Sequence, residues 1–522
     1  MKKIDIFMSR TKNTVLNALW GVFTHLFLIF LRFFCRTVFI KTLGTTYLGI
    51  NGLFSDVLVM LSLAELGFDS AISYRLYKPI ADNEVAKVVQ YVYFFRNIYR
   101  IVGVVIFSLG LVCIPFLSYI IADYDSILAK GINVSLIFFL FLIQNVSSYF
   151  FGAYRSTVLR VNQKMYILEK IELIVKTSSS ISQIIVLICF QNFMIYICTL
   201  TIYTIIQNIV NGICAYKMYP IYFGRPAEKL HKIEIIAILK DCAALFVYKI
   251  NNVVMKATDN IVLSVVLGLS IVGLYSNYVI IYVAITATLQ RLLNAVKDSL
   301  GNLFVSNDLE LKYFFFEVVN YVVIVLYGTA AIGMAICCNK IIKLWIGGEF
   351  VISGPFVIFI AVELLLTGLK QNLAQMRHVS GIFRQMWFRP VIGSIINVLF
   401  SFLLTYFYGV SGVVIGTIMA ALFANLMIDP GIIHKYTFCN YRNVIYYYKK
   451  NILYLILLIF VGLIDYKICN MFDGSSEWLA LIFSIFVSVV SVPTIFIAFF
   501  YKKNECVYLK SKLYSLVIHK NK

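Results

Sequence analysis

The chain has 522 residues, of which 61% are hydrophobic and only 13% charged, with a formal net charge of +20 and a mean hydropathy of +0.88. A charged fraction about half that of an ordinary soluble domain excludes a water-soluble globular protein, and no stretch is left over for a soluble domain. The chain reads as an all-α integral membrane protein.

Lys2, Lys3, Arg10 and Lys12 precede an apolar run too long for the core of a signal peptide and without a small-residue cleavage site, so a retained first span is expected. Apolar segments predict that span at 14–40. Further spans follow at 46–74, 92–121, 131–158, 165–190, 192–217, 238–265, 271–303, 314–338, 354–379, 386–408, 411–436, 446–469 and 477–501, about fourteen in all. Lysine and arginine collect in alternate joints, among them Lys78, Lys87 and Arg96, then Arg155 and Arg160, then Lys229 and Lys232, then Lys297 and Lys312, then Arg377 and Arg389, then Lys435 and Lys450. The opposite joints hold little beyond Lys41, Lys130, Lys340, Lys343 and Lys467. By the positive-inside rule both termini are cytoplasmic and the protein is a multi-pass component of the cell membrane. Topology and anionic inner-leaflet lipid account for the positive charge, so nucleic acid is not an expected partner. The stretch from Tyr501 to Lys522 reads as a basic, partly amphipathic interfacial segment. The cysteines lie mostly in apolar segments without metal-type spacing or histidine company, so neither a metal site nor a cofactor is expected.

The first two spans meet at LGTTYLG, Leu43 to Gly49, and the seventh and eighth at LGLSIVG, Leu267 to Gly273, an offset of 224 residues. A looser version, YGVSGVVIG from Tyr408 to Gly416, joins the eleventh and twelfth. Duplicated halves related by an axis along the membrane normal are expected: two pseudo-symmetric six-helix lobes around a central cavity, plus two C-terminal helices. The expected divisions are an N-lobe over 1–220, a cytoplasmic linker over 221–237, a C-lobe over 238–440, the added helices over 441–505 and a basic cytoplasmic tail over 506–522.

Within FLRFFCRTVF the first span carries Arg32 and Arg36 on one helical face. Each such charge costs about 2.5–3.5 kcal/mol near a helix centre, so something must offset it. The repeat offset carries Arg32 onto Lys256 of the seventh span, which also holds Lys249. A cation on the first helix of each half suggests an anion that visits, and Arg32, Arg36, Lys249 and Lys256 are the candidate ligands. Snorkelling to the outer surface beside Lys41 is the competing reading for Arg36. A drug-cation exporter would favour an acidic, aromatic cavity instead. The carboxylates Glu65, Asp69, Asp259 and Glu363 are candidates for coupling to H+ or Na+, set against a structural ion-pair network; no motif selects between the two ions. No nucleophile, metal or acid–base constellation points to an enzyme.

The stretch YLGINGLFSDVLVMLSLAELGFDSAI from Tyr47, the joint LGLSIVGLYSNY from Leu267 and KLWIGGEF from Lys343 resemble the Wzx-type polysaccharide flippases of the multidrug/oligosaccharidyl-lipid/polysaccharide (MOP) exporter superfamily, over about 14–440. The resemblance implies a V-shaped cavity between two lobes, alternating access, and undecaprenyl-diphosphate-linked oligosaccharide as cargo for capsule or O-antigen assembly. It implies that Arg32 and Lys256 hold the diphosphate, and that the last two helices supply a groove for the lipid tail, as in the related lipid II flippases. Expected partners are the lipid-linked oligosaccharide, membrane lipid, and a polysaccharide polymerase with its assembly proteins. A lipid II flippase and a multidrug cation exporter of the same superfamily are the alternatives.

Overall fold

The structure is a computed structural model that describes residues 20, 23–24, 27–62, 75–80, 82–121, 124–129, 132–162, 164–304, 309–380, 382, 384–386, 388–439, 443–472 and 476–518. Of these, the side chains of 126, 127, 129, 241, 243–257, 291–292, 294–304, 378–380, 384 and 512–518 fall outside the description. Among the described residues the secondary structure is helical, with no strand. Helix α1 covers 27–43, followed by α2 (Thr45–Leu61), α3 (Val85–Cys113), α4 (Val134–Phe151), α5 (Ala153–Val161), α6 (Met165–Phe190), α7 (Phe193–Met218) and α8 (Lys232–Leu267). Then come α9 (Leu269–Phe304), α10 (Leu309–Ile346), α11 (Phe356–Ser380), α12 (Arg389–Tyr408), α13 (Val410–Ala420), α14 (Asp429–Tyr436), α15 (Val444–Met471), α16 (Glu477–Phe500) and α17 (Asn504–Ile518). Eleven described segments are long and apolar enough to cross a membrane; α3 counts with its continuation to Ile120, and α13 with the π-helical turn at Ala421–Leu426 and α14. The apolar runs on α1, α2 and α8 complete about fourteen crossings. The protein is a multi-pass membrane protein.

Compactness divides the chain into a first unit, Met1–Gly273, and a second, Leu274–Lys522. In lipid, apolar surface gives helices little reason to associate, so small residues and polar side chains between helices do the work. In the first unit Ser62 donates to Asn145 Oδ1 at 3.1 Å, Asn208 to Ser147 Oγ at 2.9 Å, and the hydroxyls of Ser182 and Tyr203 lie 2.8 Å apart. Gly152 interrupts the predicted fourth span between α4 and α5, because a Cβ there would stand 2.5 Å from the Asn208 carbonyl oxygen of α7.

The repeat is built into the tightest crossing of this unit. Gly44 and Gly268, 224 residues apart, turn their chains at φ +83° and +87°, a region that glycine enters without a Cβ clash. Five residues on, a Cβ on Gly49 would sit 2.0 Å from the Leu269 carbonyl oxygen, and one on Gly273 would sit 2.2 Å from that of Thr45. Thr45 and Leu269 are themselves separated by the same offset, so these are one contact met from either repeat. Thr46 Oγ1 and Ser270 Oγ, also repeat equivalents, lie 3.5 Å apart. Equivalent residues in mutual contact mark a local pseudo-twofold axis, as in an isologous dimer.

In the second unit a buried asparagine ladder binds three helices. Asn372 of α11 donates to Asn320 of α10 at 3.2 Å, Asn320 donates to Asn451 of α15 at 3.1 Å, and Asn451 donates to the Tyr447 carbonyl at 2.9 Å. Tyr321, Tyr454, Phe496 and Phe500 pack their rings where α10, α15 and α16 meet, with centroids 5.1–6.3 Å apart. The added pair of helices is thus part of the second unit.

Alanine at Gly49 or Gly273 must force the crossing chains apart, at an overpacking cost of about 1–3 kcal/mol. Each variant is expected to melt several degrees below wild type in detergent. Gly431→Ala, with open space at the same atom, is expected to melt with wild type; equal melting of Gly49→Ala and Gly431→Ala would refute the tight crossing.

Candidate functional site

Phe23, Phe27, Phe30 and Phe34 recur along the start of the chain's first helical stretch, and all four are exposed. At about 100° per residue they share one face, with Arg32 and Arg36 roughly opposite it. The phenylalanines form a face suited to lipid, which puts the two guanidiniums on the other side. Arg32 is exposed and has no ion-pair partner among the described residues, whereas Arg36 is half-buried and interacts electrostatically with Tyr196 of α7. Phe39, in the same helix, packs edge-on against Phe193 and Tyr196, at 5.9 and 5.0 Å, and so fixes the rotation of α1 against α7.

The backbone of α8 carries Lys249 and Lys256, whose side chains lie outside the described set; Glu65 and Asp69 lie outside the described residues altogether. Asp259 is half-buried on α8. Glu363 is half-buried on α11, where it interacts with Tyr282, whose hydroxyl also meets Thr367 Oγ1 at 3.0 Å. Of the candidates on described backbone, all except Glu363 belong to the first unit.

One carboxylate outside that set joins the two repeats. Asp56 of α2 accepts a 2.6 Å hydrogen bond from Asn260 Nδ2 of α8. Gly52, one turn before Asp56, faces the same amide: a Cβ there would make ordinary contact with Asn260 Nδ2 at 3.6 Å. Asp56 is not among the sequence candidates, and it falls on a different helical face from Glu65 and Asp69 of the same predicted span.

Two further charge clusters escaped sequence reasoning because their members read as ordinary joint charges. Arg377 Nη1 of α11 and Arg389 Nε of α12 stand 3.5 and 3.4 Å from the two oxygens of Asp429, with all three side chains 8% exposed or less. Asn425, in the π-helical turn before Asp429, accepts from Arg389. At the other cluster Lys450 of α15 contacts Glu317 of α10 at 2.7 Å and also Glu505 of α17. Tyr508 packs edge-on against Phe314 and Phe315, so the expected interfacial tail is a helix docked on the second unit. Lys343 pairs with Glu477 at 2.6 Å, and Lys87 with Glu234 at 2.8 Å.

A cavity of about 290 Å³ lies among α3, α5, α6 and α7, lined by Tyr99, Arg160, Glu169, Glu172, Gln207 and Asn211 among others. Glu172 is paired with Lys176 one turn on. Among the described residues no cluster of histidine, cysteine and carboxylate side chains has the grouping to hold a metal ion.

No protein-family model and no curated protein sequence matches the chain. Solved structures do. An inward-facing multidrug resistance MATE family transporter of the MOP superfamily aligns at 13% identity and a TM-score of 0.59, over 76% of this chain and 93% of its own. The lipid II flippase MurJ, in an inward closed conformation, aligns at 16% identity and a TM-score of 0.60, over 94% of this chain and 99% of its own. The chain shares the fold of these solved transporters. The Vibrio cholerae MATE transporter VcmN shares it at 12% identity and a TM-score of 0.56, over 83% of this chain and 99% of its own. The alignment with MurJ extends this shared fold over nearly the whole chain.

Removing the carboxylate from the buried arginine pair leaves two guanidiniums facing each other. Asp429→Asn is expected to destabilise the protein by about 3–5 kcal/mol. Lys343→Ala, which breaks an exposed pair, is expected to cost about 0–1 kcal/mol. Denaturation of the purified proteins in mixed micelles compares them, and similar stability of the two variants would contradict the buried-cluster assignment.

Proposed function

We propose that the chain is a flippase that moves undecaprenyl-diphosphate-linked oligosaccharide repeat units from the inner to the outer leaflet of the cytoplasmic membrane, for surface polysaccharide assembly. The observation that carries this reading is the repeat register. Gly44 with Gly268, Gly49 with Gly273, and Thr46 with Ser270 align the halves residue by residue, and the same register makes Arg32 and Lys256 equivalents. Two cations at matched positions suit a diphosphate, because Arg presents a planar fork to phosphate oxygens and Lys a compact charge. The exposure of Arg32, opposite the phenylalanine face, supports a group that meets an anion in water rather than one neutralised by a permanent protein partner.

Alternating access then moves the headgroup while the lipid tail stays in the bilayer. The cations offset the cost of bringing a phosphate charge to membrane depth, and release follows once water and counterions reach the site from the opposite side. Arg36 and Lys249, on the same two helices, extend the positive track. Glu363, and on the first unit Asp259, Glu65 and Asp69, supply the carboxylates that would couple this movement to a proton or sodium gradient.

A lipid II flippase is the second reading, favoured by the 94% coverage of this chain by MurJ. Both cargoes present a diphosphate to the same cations, so the sugar portion separates them. Multidrug export fits less well, because the face of α1 opposite the phenylalanines is basic.

Arg32→Ala and Lys256→Ala are each expected to reduce surface glycan at least about tenfold, the equivalent of about 1.4 kcal/mol of lost substrate interaction, with membrane levels unchanged. Immunoblots of surface polysaccharide at matched expression give the measurement, and normal glycan in both variants would remove the diphosphate assignment. Rescue of a strain depleted of its lipid II flippase would move the conclusion to the second reading.

A further inference from the structure

We infer that the cavity among α3, α5, α6 and α7 of the first unit is a binding site for a neutral sugar ring, and that it receives one sugar of the lipid-linked cargo. The role in cargo rests on the transport reading above; the affinity for a sugar does not.

Along α6 the exposed residues Ile174, Ile181, Ile185 and Ile188 share one face, and along α7 Ile202, Ile206, Ile209 and Ile213 do the same. At about 100° per residue, Glu169 and Glu172 lie opposite the first stripe, and Gln207 and Asn211 opposite the second. The isoleucines suit lipid, while the carboxylates and carboxamides line a shared space of about 290 Å³. Backbone contacts hold one side of it. A Cβ on Gly152 would stand 2.5 Å from the Asn208 carbonyl oxygen, and one on Gly212 2.7 Å from that of Phe151. The α4–α5 joint and α7 therefore meet without an intervening side chain.

The floor of the cavity is buried and its mouth is exposed. Tyr99 is 2% exposed, and Asn211 Oδ1 is buried without a hydrogen-bond partner among the described residues. Met165, by contrast, is 42% exposed, and Arg160 is exposed too. A buried acceptor without a donor is disfavoured. The space exceeds the share of a single water, about 30 Å³, many times over and approaches the lower limit of small-molecule pockets, about 300 Å³.

Charge selects the class of ligand. Arg160 and Lys176, the latter paired with Glu172, balance Glu169 and Glu172, so the formal charge of this group is zero. Arg160 and Glu169 also take part in other interactions, and the site requires no free charge from them. A phosphate or a metal cation has no net field to attract it here. Hydrogen-bonding capacity of both kinds is present: carboxylates accept, the guanidinium donates, and the Ser156 hydroxyl and the Gln207 and Asn211 amides do both. A ring with several hydroxyls matches such a wall, because each hydroxyl donates and accepts and so serves Asn211 in either orientation of its amide.

Glu169 lies four residues from the start of α6 and Asn211 seven from the end of α7, about 6 and 10 Å along their helices. Arg155, Lys164, Lys217 and Arg225 gather at the same end, which the positive-inside rule assigns to the cytoplasm. A glycan assembled on the inner leaflet meets this end first. The cavity then reads a sugar, which the diphosphate contacts of Arg32 and Lys256 cannot do.

The full chain, purified in a detergent without a sugar headgroup, is titrated by saturation-transfer NMR with glucose, galactose, rhamnose, N-acetylglucosamine and N-acetylgalactosamine, and separately with glycerophosphoethanolamine. At least one sugar is expected to bind saturably. Asn211→Leu, similar in size but without the acceptor, and Ser156→Phe, which fills the cavity, are each expected to weaken that binding at least about tenfold. Lys343→Ala, in the second unit, is expected to bind as wild type does, and melting temperatures establish that each variant is folded. In cells, Ser156→Phe is expected to lower surface glycan by a similar factor at matched membrane levels. A wild type that binds none of the sugars, or cavity variants that both bind unchanged, would overturn the site. Binding of glycerophosphoethanolamine alone would give the cavity to a phospholipid headgroup and overturn it equally. Normal surface glycan in a Ser156→Phe protein that has lost sugar binding would overturn the role in cargo. The titration involves neither a diphosphate nor export, so it succeeds or fails independently of the Arg32→Ala and Lys256→Ala assay.

Discussion

The structure depends on one close approach: two polypeptide backbones that touch because neither has a side chain at the point of contact. Gly49 lies against the Leu269 carbonyl and Gly273 against that of Thr45. In lipid there is no hydrophobic gain to hold helices together, so closeness itself supplies dispersion contacts and lets polar groups reach across. Asp56 meets Asn260 because the crossing above them brings α2 and α8 within hydrogen-bonding reach. The positions of Arg32 and Lys256 inherit their equivalence from the same contact.

The two units treat charge differently. The second unit neutralises its buried groups internally: Asp429 stands between two guanidiniums, and Lys450 between two glutamates. Such clusters bind helix ends to one another and leave little capacity for a visitor, since removing a member exposes the rest to an uncompensated field. The first unit leaves groups less complete. Arg32 is exposed, and Asp56 meets a neutral amide.

Much of the architecture was legible because bilayer thickness is a strict ruler. The span expected at 165–190 is α6, Met165–Phe190, and most others agree within a few residues. The duplication was legible through glycines, whose positions are constrained by backbone contact and not by taste for lipid. Partner choice was not legible. Arg377 and Arg389 carry the same local signal as any basic joint residue, and only the three-dimensional return of Asp429 distinguishes them. Helical stripes identify a face but not the helix that it meets, which is why Asp56 stood outside the candidate set while Glu65 and Asp69 were in it. The division of the chain likewise follows contacts across α2 and α8, placing Lys232–Leu267 with the first unit although the repeat makes it the opening helix of the second half.

The lysine clamp at the end of the chain has a practical corollary. Because Lys450 grips Glu505 and Tyr508 wedges between Phe314 and Phe315, anything fused behind Ile518 hangs from a helix welded to α10 and α15. A fluorophore attached there reports the attitude of that bundle, and cutting the chain ahead of Glu505 strips a layer of aromatic cladding from it.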